Sequence, residues 1–549
     1  MSQLRSISRL TLINIANAVI GVATSIAMAW LFGTTIIIQC YFSAYTLLSV
    51  VQKGFLVGQF SDNFLPEYVQ RREVDGTEKA DRCFSALYNH LIFMLVVLAA
   101  GVYLVMPWIG AMIAPGFSDD EQKLVVRLSQ SFLPIMCLVV ANGHLQLIGN
   151  ARGWFGRFEF YGLVGSAVGL VLLIITAKFF GFGIWALMLS QGITQVILYV
   201  GSWSYLYRQG YRHAWIWSEP GFSVWAVVGR VSLSSLNVVA TQAFVFAFNA
   251  ALTTLPGGTL AVYKYAENLY VRMGTYFMRP VSIVFFTDAA ILAHRHPLQL
   301  RARISEALYQ YGLMYLVVLA VLFPALPNML GALWGSPLYP VADIHVTVLF
   351  AWCFFGLLIV DGAGVIYRRL NIIMGDMRWV YEAMTMVQIA MAFAVPYLVG
   401  SWGLWGAASV LILNVVGLAL AGLVIIIWRR PQFLTFFPAR TWKLVASAVL
   451  PLLAGWLLPK FVPWLRYTGT VAIHGQVLTL AQAALLGHAG KIAIIEAKIV
   501  SFVQGAFLGG LGLGLGIGTA WLIGVEEVLV GLRQVSAWGL AARRRLRMA

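Results

Sequence analysis

Residues 383–428 contain no Asp, Glu, Lys or Arg, and neither do residues 10–52. A helix needs about 20 mostly apolar residues to cross roughly 30 Å of hydrocarbon, so each of these windows is long enough for two crossings. Further uncharged windows run over 83–118, 128–151, 160–177, 179–207, 231–263, 307–342, 344–360, 444–459 and 499–525. Charged residues make up 11% of the chain and apolar residues 60%, which excludes an ordinary soluble enzyme. The sequence reads as an all-α polytopic membrane protein with about fourteen spans. They fall near 10–32, 34–52, 84–106, 126–148, 159–178, 183–206, 231–253, 260–286, 307–327, 344–366, 380–398, 403–428, 444–465 and 501–523. The eighth tolerates charge.

The formal net charge of +16 points to topology rather than to nucleic acid, because the cations are dispersed between apolar segments instead of gathered on one wet face. With the N-terminus cytoplasmic, fourteen spans put more than two thirds of the 37 Lys and Arg residues in inside loops, including Arg543, Arg544, Arg545 and Arg547 of the tail. One span more or fewer would invert every later loop. Both termini are therefore expected on the cytoplasmic side, and that tail is expected to meet an anionic leaflet. Residues 1–32 are too long, and too directly followed by a second span, for a cleaved signal peptide.

Gly183-Ile184-Trp185-Ala186 recurs as Gly403-Leu404-Trp405-Gly406, 220 positions on, and Gly149-Asn150-Ala151-Arg152 resembles Gly375-Asp376-Met377-Arg378, 226 positions on. Such a register predicts two parallel six-helix bundles, 1–218 and 219–441, with a two-helix extension at 442–549. Transporters that rock two bundles around a central site have this design.

Several ordered matches resemble the MurJ/MviN family of lipid-linked glycan flippases, in the multidrug/oligosaccharidyl-lipid/polysaccharide exporter superfamily. They are Phe32-Gly33, Gly58-x-Phe60-Ser61-x-x-Phe64-x-Pro66, Ala114-Pro115-Gly116-Phe117, Asn150, Tyr265-Ala266-Glu267-x-Leu269, Arg369 and Asp376. The resemblance implies flipping of an undecaprenyl-pyrophosphate-linked sugar, lipid II or another envelope-glycan precursor, across a bacterial inner membrane. Partners would be the lipid-linked substrate, membrane lipids and envelope-glycan biosynthesis proteins, with no nucleic acid. The chain departs from the family where cavity charges are usual: Asn17-Ala18, Thr24-Ser25, Gln39, Gln52 beside Lys53, Val57 and Asn268 stand there. Two other readings stay open. One is a non-transporting scaffold of an envelope-polysaccharide assembly system, and the other is a drug/cation antiporter of the same superfamily.

A pyrophosphate needs cations on its way through a low-dielectric cavity. At about 100° per residue from Lys264, Asn268 falls near 40°, Arg279 near 60°, Arg272 near 80° and Glu267 near −60°, one face of the eighth span. The expected substrate-binding residues are therefore Lys53, Lys264, Glu267, Asn268, Arg272 and Arg279. The alternative for Lys264 is the outer headgroup layer, with Arg272 paired or snorkelling. Asp361, late in the tenth span, is an ion-coupling candidate, against a buried structural pair.

Cys40, Cys83, Cys137 and Cys353 form no CxxC, and His90 and His144 stand without ligand spacing, so neither a metal nor a disulfide framework is indicated. Neither a Walker loop, nor a nucleophile elbow, nor paired catalytic carboxylates occur in a credible context, which argues for a transporter without a cofactor rather than an enzyme. The glycine run at 509–518 is expected inside an apolar helix, as close helix packing or a groove for a lipid tail. An interfacial helix is expected over 467–498.

Overall fold

A computed structural model describes residues 2–54, 57–152, 154, 156–295, 297–434, 439–473 and 476–522. The tail arginines from Arg533 onward lie outside them. The first half contains α1 (Ser2–Phe32), α2 (Ile36–Gly54), α3 (Val57–Val74), α4 (Thr77–Ile113), α5 (Asp119–Ala151), α6 (Arg157–Lys178) and α7 (Trp185–Arg208). The second contains α8 (Val224–Thr253), α9 (Thr259–Arg295), α10 (Pro297–Trp334), α11 (Val341–Gly356), α12 (Leu358–Ile373) and α13 (Met377–Arg429). After these come α14 (Ala439–Phe461), a hairpin of β1 (Thr470–Ile473) and β2 (Gln476–Thr479), α15 (Leu480–Leu485) and α16 (Gly487–Leu522).

Each of the fourteen expected segments overlaps a helix in its described residues, with 380–398 and 403–428 both on α13. Among the described residues, eight helices are long and apolar enough to cross a membrane, and the pair α11–α12, bent by 40°, makes a ninth. One of the eight cannot be a single crossing. At 1.5 Å per residue, the 53 residues of α13 would reach about 80 Å, far beyond the bilayer core. Gly403, with φ 55° and ψ −128°, breaks that helix. A β-carbon on Gly406 would lie 2.0 Å from the carbonyl oxygen of Leu398, so the chain turns back on itself there. In a straight helix these residues would be about 12 Å apart.

The internal repeat is visible in the element boundaries. Counterparts begin and end 220 to 223 positions apart: α1 with α8, α2–α3 with α9, α4 with α10, α5 with α11–α12, and α6 and α7 with the two arms of α13. The conformational glycines follow the same register, with φ 54° at Gly183 and 55° at Gly403. The Gly149–Gly375 match needs correction, since Gly149 is helical within α5. The left-handed counterpart of Gly375 (φ 82°) is Gly156 (φ 85°), 219 positions earlier, which lies just before α6 as Gly375 lies just before α13. Glycine is required at such positions because a β-carbon clashes with the following carbonyl.

Two compact units are present, Met1–Lys264 with Thr385–Val410, and Tyr265–Met384 with Leu411–Ala549. In the first, α6 and α7 meet through small residues: Ser190 Oγ donates to the Gly169 carbonyl at 2.7 Å and Thr194 Oγ1 to that of Gly165 at 3.1 Å. Backbones approach closely because lipid offers no hydrophobic drive between helices and packing must supply it. Large apolar side chains such as Leu104, Trp108 and Phe393 stay exposed, as a lipid-facing surface requires.

In the second unit α10 packs chiefly on α16 and α14. The glycines of α16 divide by face. A β-carbon at Gly512 would lie 1.9 Å from the Ala320 carbonyl oxygen, and one at Gly505 2.8 Å from Met329, whereas Gly510, Gly514 and Gly518 meet nothing within 4 Å. Close packing therefore accounts for one face of the run. Gly512→Leu is expected to force α10 and α16 apart, costing about 1–3 kcal/mol, while Gly514→Leu is tolerated. Thermal unfolding of the purified proteins checks this, and equal midpoints would refute it.

Two regions differ from expectation. Residues 57–74 form a helix, α3, where a loop is expected; its polar sequence hides it from a search for apolar runs. Residues 467–498 form no single interfacial helix, but the hairpin, short α15 and the first turns of α16. Thr479 caps α15 reciprocally with Gln482.

Candidate functional site

α9 carries Lys264, Glu267, Asn268, Arg272 and Arg279 on one continuous helix. Lys264 is only 8% exposed, and its ammonium lies 5.2 Å from the centre of the Tyr263 ring. That ring is fixed edge-on by Phe248 at 5.1 Å. This is a buried cation over an aromatic face. Glu267 and Arg272 are half-buried and Asn268 is exposed. The side chains of Arg279, on α9, and of Lys53, near the end of α2, lie outside the described residues.

Asp361 is not isolated. It accepts a hydrogen bond from Tyr270 at 2.9 Å and pairs with Arg368 at 3.6 Å. Tyr270 stacks on Phe354 at 4.8 Å, just before the bend between α11 and α12. Arg368 also donates to the Leu418 carbonyl at 3.2 Å, and Gly364 and Gly422 leave room for its side chain.

A polar knot that no sequence motif marks lies at one end of the first unit. Arg152, just after α5, donates to both oxygens of Asp81 on α4. Tyr68 on α3 accepts from Arg152 Nε at 3.0 Å and donates to Asp81 at 2.8 Å. The side chains of Arg152 and Asp81 are 8% and 11% exposed. Burial pushes the Tyr68 phenol up to about 12. The segment after α7 joins the knot through Tyr211, whose hydroxyl meets Ser85 at 2.9 Å and His213 Nδ1 at 3.2 Å. Burial lowers the His213 pKa, favouring the neutral ring, and its Nε2 lies 2.9 Å from Asn89 Oδ1. Asn89 Nδ2 donates to two carbonyls, so its oxygen is the acceptor and His213 Nε2 carries the proton. In the second unit, Asp376 is clasped at the matching helix ends by Arg429 at 2.7 Å and Arg430 at 3.2 Å.

The family model for Lipid II flippase MurJ matches residues 28–467, most of the chain. The chain belongs to this family. Among MurJ relatives, the Probable lipid II flippase MurJ of Rhizobium tropici is 22% identical over 278 residues, 47% of this chain and 49% of that protein. That of Rhizobium meliloti (strain 1021) is 32% identical over 97 residues, 18% of each. The chain thus spans about half the length, at most, of these two curated relatives. A structure titled lipid II flippase MurJ, inward closed conformation, shares the fold with TM-score 0.64 at 13% identity, over 90% of this chain and 98% of that one. An inward-facing multidrug resistance MATE transporter has TM-score 0.62 at 16% identity, over 78% and 98%.

The MurJ match ends at Tyr467, so the hairpin, α15 and α16 lie past it. Where MurJ-like cavity charges are usual on the first helix, Thr24 and Ser25 donate to the carbonyls of Ile20 and Gly21 on their own helix, at 2.8 and 3.1 Å. Gln39 is buried.

Proposed function

We propose that this chain carries a polyprenyl-pyrophosphate-linked glycan from the cytoplasmic to the outer leaflet of a bacterial inner membrane, by alternating access of two six-helix bundles. The observation that carries the reading is the MurJ family match over residues 28–467. Fourteen spans, cytoplasmic termini and the division at 218/219 and 441/442 belong to the same proposal, supported by the repeat and by the placement of basic residues.

The head group is the costly part of the cargo, because an anion in a low-dielectric cavity loses its hydration. Lys264 supplies a cation that is already desolvated, so little further desolvation is needed when phosphate oxygens meet it. Arg272 and Arg279 offer forked donors about two and four turns further along the helix, Lys53 draws the head group in, and Glu267 and Asn268 orient sugar hydroxyls. The pairing of Asp361 with Arg368 and Tyr270 favours a structural role for that carboxylate over ion coupling.

Expression in a cell depleted of its own lipid II flippase is expected to restore growth, with labelled precursor reaching the outer leaflet. Failure to rescue at normal membrane abundance, together with no outward movement of any polyprenyl-linked glycan in vesicles, would sink the transport reading. Failure for lipid II with movement of another glycan would instead identify that glycan as the cargo.

A further inference from the structure

A cavity of about 670 Å³ lies between α4, α5 and α7, within the first unit, and the segment after α7 closes one end. Its size lies within the roughly 300–1,000 Å³ of ordinary small-molecule sites. Tyr88, Trp203 and Tyr207 wall it, and Pro134 lines the α5 side, where a proline interrupts the helical hydrogen bonds. The polar end is built. Trp203 meets Tyr88 edge-on at 5.9 Å and His213 at 5.4 Å. The hydrogen bonds from Asn89 to Ala214 and Ile216 hold the closing segment against α4.

The mouth is open at the surface of the unit. Phe93, Trp215 and Trp217 line it and are 57%, 87% and 55% exposed. Exposed tryptophans beside the end of an apolar helix occupy the boundary between headgroups and chains. Arg208, the last residue of α7, and Arg212, in the segment that carries Trp215 and Trp217, are both exposed. Arg212 donates to the Tyr207 carbonyl at 2.8 Å and lies 5.6 Å from the Tyr207 ring, so its guanidinium is fixed beside a wall of the cavity. Among the described lining residues there is no carboxylate.

We infer that this cavity holds one acyl chain of an anionic bilayer phospholipid, with Arg208 and Arg212 on its headgroup phosphate. An aromatic wall suits a hydrocarbon chain, the exposed mouth admits it sideways from lipid, and the two arginines select a negative headgroup. The volume accommodates an acyl chain and not the whole of a long polyprenyl tail. The site is separate from α9, and the inference does not rest on the transport reading. It requires only that the chain lies in a bilayer.

The test uses the full chain in phosphatidylethanolamine nanodiscs containing phosphatidylglycerol with a photoreactive group halfway along one acyl chain, adducts being mapped by peptide mass spectrometry. Adducts are expected several-fold enriched on residues 88–95, 134–141 and 199–217 over another lipid-facing stretch such as 166–175. Unlabelled phosphatidylglycerol should compete them away. R208Q/R212Q, two changes at exposed positions, is expected to reduce the enrichment several-fold, and Leu138→Trp, which fills the cavity, to remove it. Even labelling of all lipid-facing helices would overturn the site. Equal enrichment by a phosphatidylethanolamine probe, unaffected by the arginine changes, would overturn the headgroup assignment. Displacement by polyprenyl phosphate in preference to phosphatidylglycerol would overturn the acyl chain as occupant.

Discussion

Replacing Asp81 by alanine is expected to destabilise the protein by about 3–5 kcal/mol, because it leaves the Arg152 guanidinium buried with no counter-charge. Both side chains are about nine-tenths buried. Arg152 would retain Tyr68, a neutral partner that cannot balance its charge. The loss should spread, since the knot joins α3, α4, the end of α5 and, through Tyr211, the segment after α7. Asp81→Asn keeps the shape and one acceptor, so a smaller loss is expected. Asp81→Ala combined with Arg152→Met removes both charges and should recover much of the stability, as replacement of buried ion pairs by apolar groups often does. Thermal unfolding of the four proteins decides it. An unchanged midpoint for Asp81→Ala would mean that the pair is effectively solvated.

Joint replacement of Lys264, Arg272 and Arg279 by glutamine is expected to abolish rescue of a flippase-depleted cell while leaving the protein in the membrane. A hydrogen bond to a charged group is worth about 1.5–3 kcal/mol, so each single change should slow translocation roughly ten- to hundredfold. Three together exceed what overexpression can offset. Lys264→Gln should be the most harmful single change, because that cation is already desolvated and held over Tyr263. Outer-leaflet exposure of labelled precursor, normalised to membrane abundance, is the measurement. Normal flipping by the triple variant would remove α9 from the mechanism while leaving family membership untouched.

The two predictions differ in how far the sequence discloses them. Intramembrane charge is conspicuous against an uncharged background, so the α9 residues stand out, and their common face follows from helical periodicity alone. The turn at Gly403 is legible too, since the Gly-x-Trp pattern repeats at Gly183 and both glycines are left-handed. Asp81 and Arg152 give no such signal. They are 71 positions apart and look like two ordinary loop charges until α4 and α5 are laid side by side. α3 escapes because Arg71, Arg72 and Glu73 lie in its last turn and Pro66 within it, features that ordinarily mark a loop. The aromatic cavity draws on three helices and a connecting segment, and no spacing along the chain connects Tyr88, Trp203 and His213. Nor does the sequence say which glycines of α16 meet α10, because that depends on the rotation of the helix.

The packing of α10 on α16 has a consequence for how the molecule is made. α10 ends at Trp334 and its principal partner begins only at Gly487, so the ribosome finishes one surface long before it starts the other. In the interval Ala320 and its neighbours face lipid or the insertion machinery, with the notches that will receive Gly505 and Gly512 unfilled. The second unit can therefore close only after α16 has been made. A nascent chain stalled before residue 487 would display a membrane-embedded surface by which quality control could distinguish an unfinished copy from a finished one.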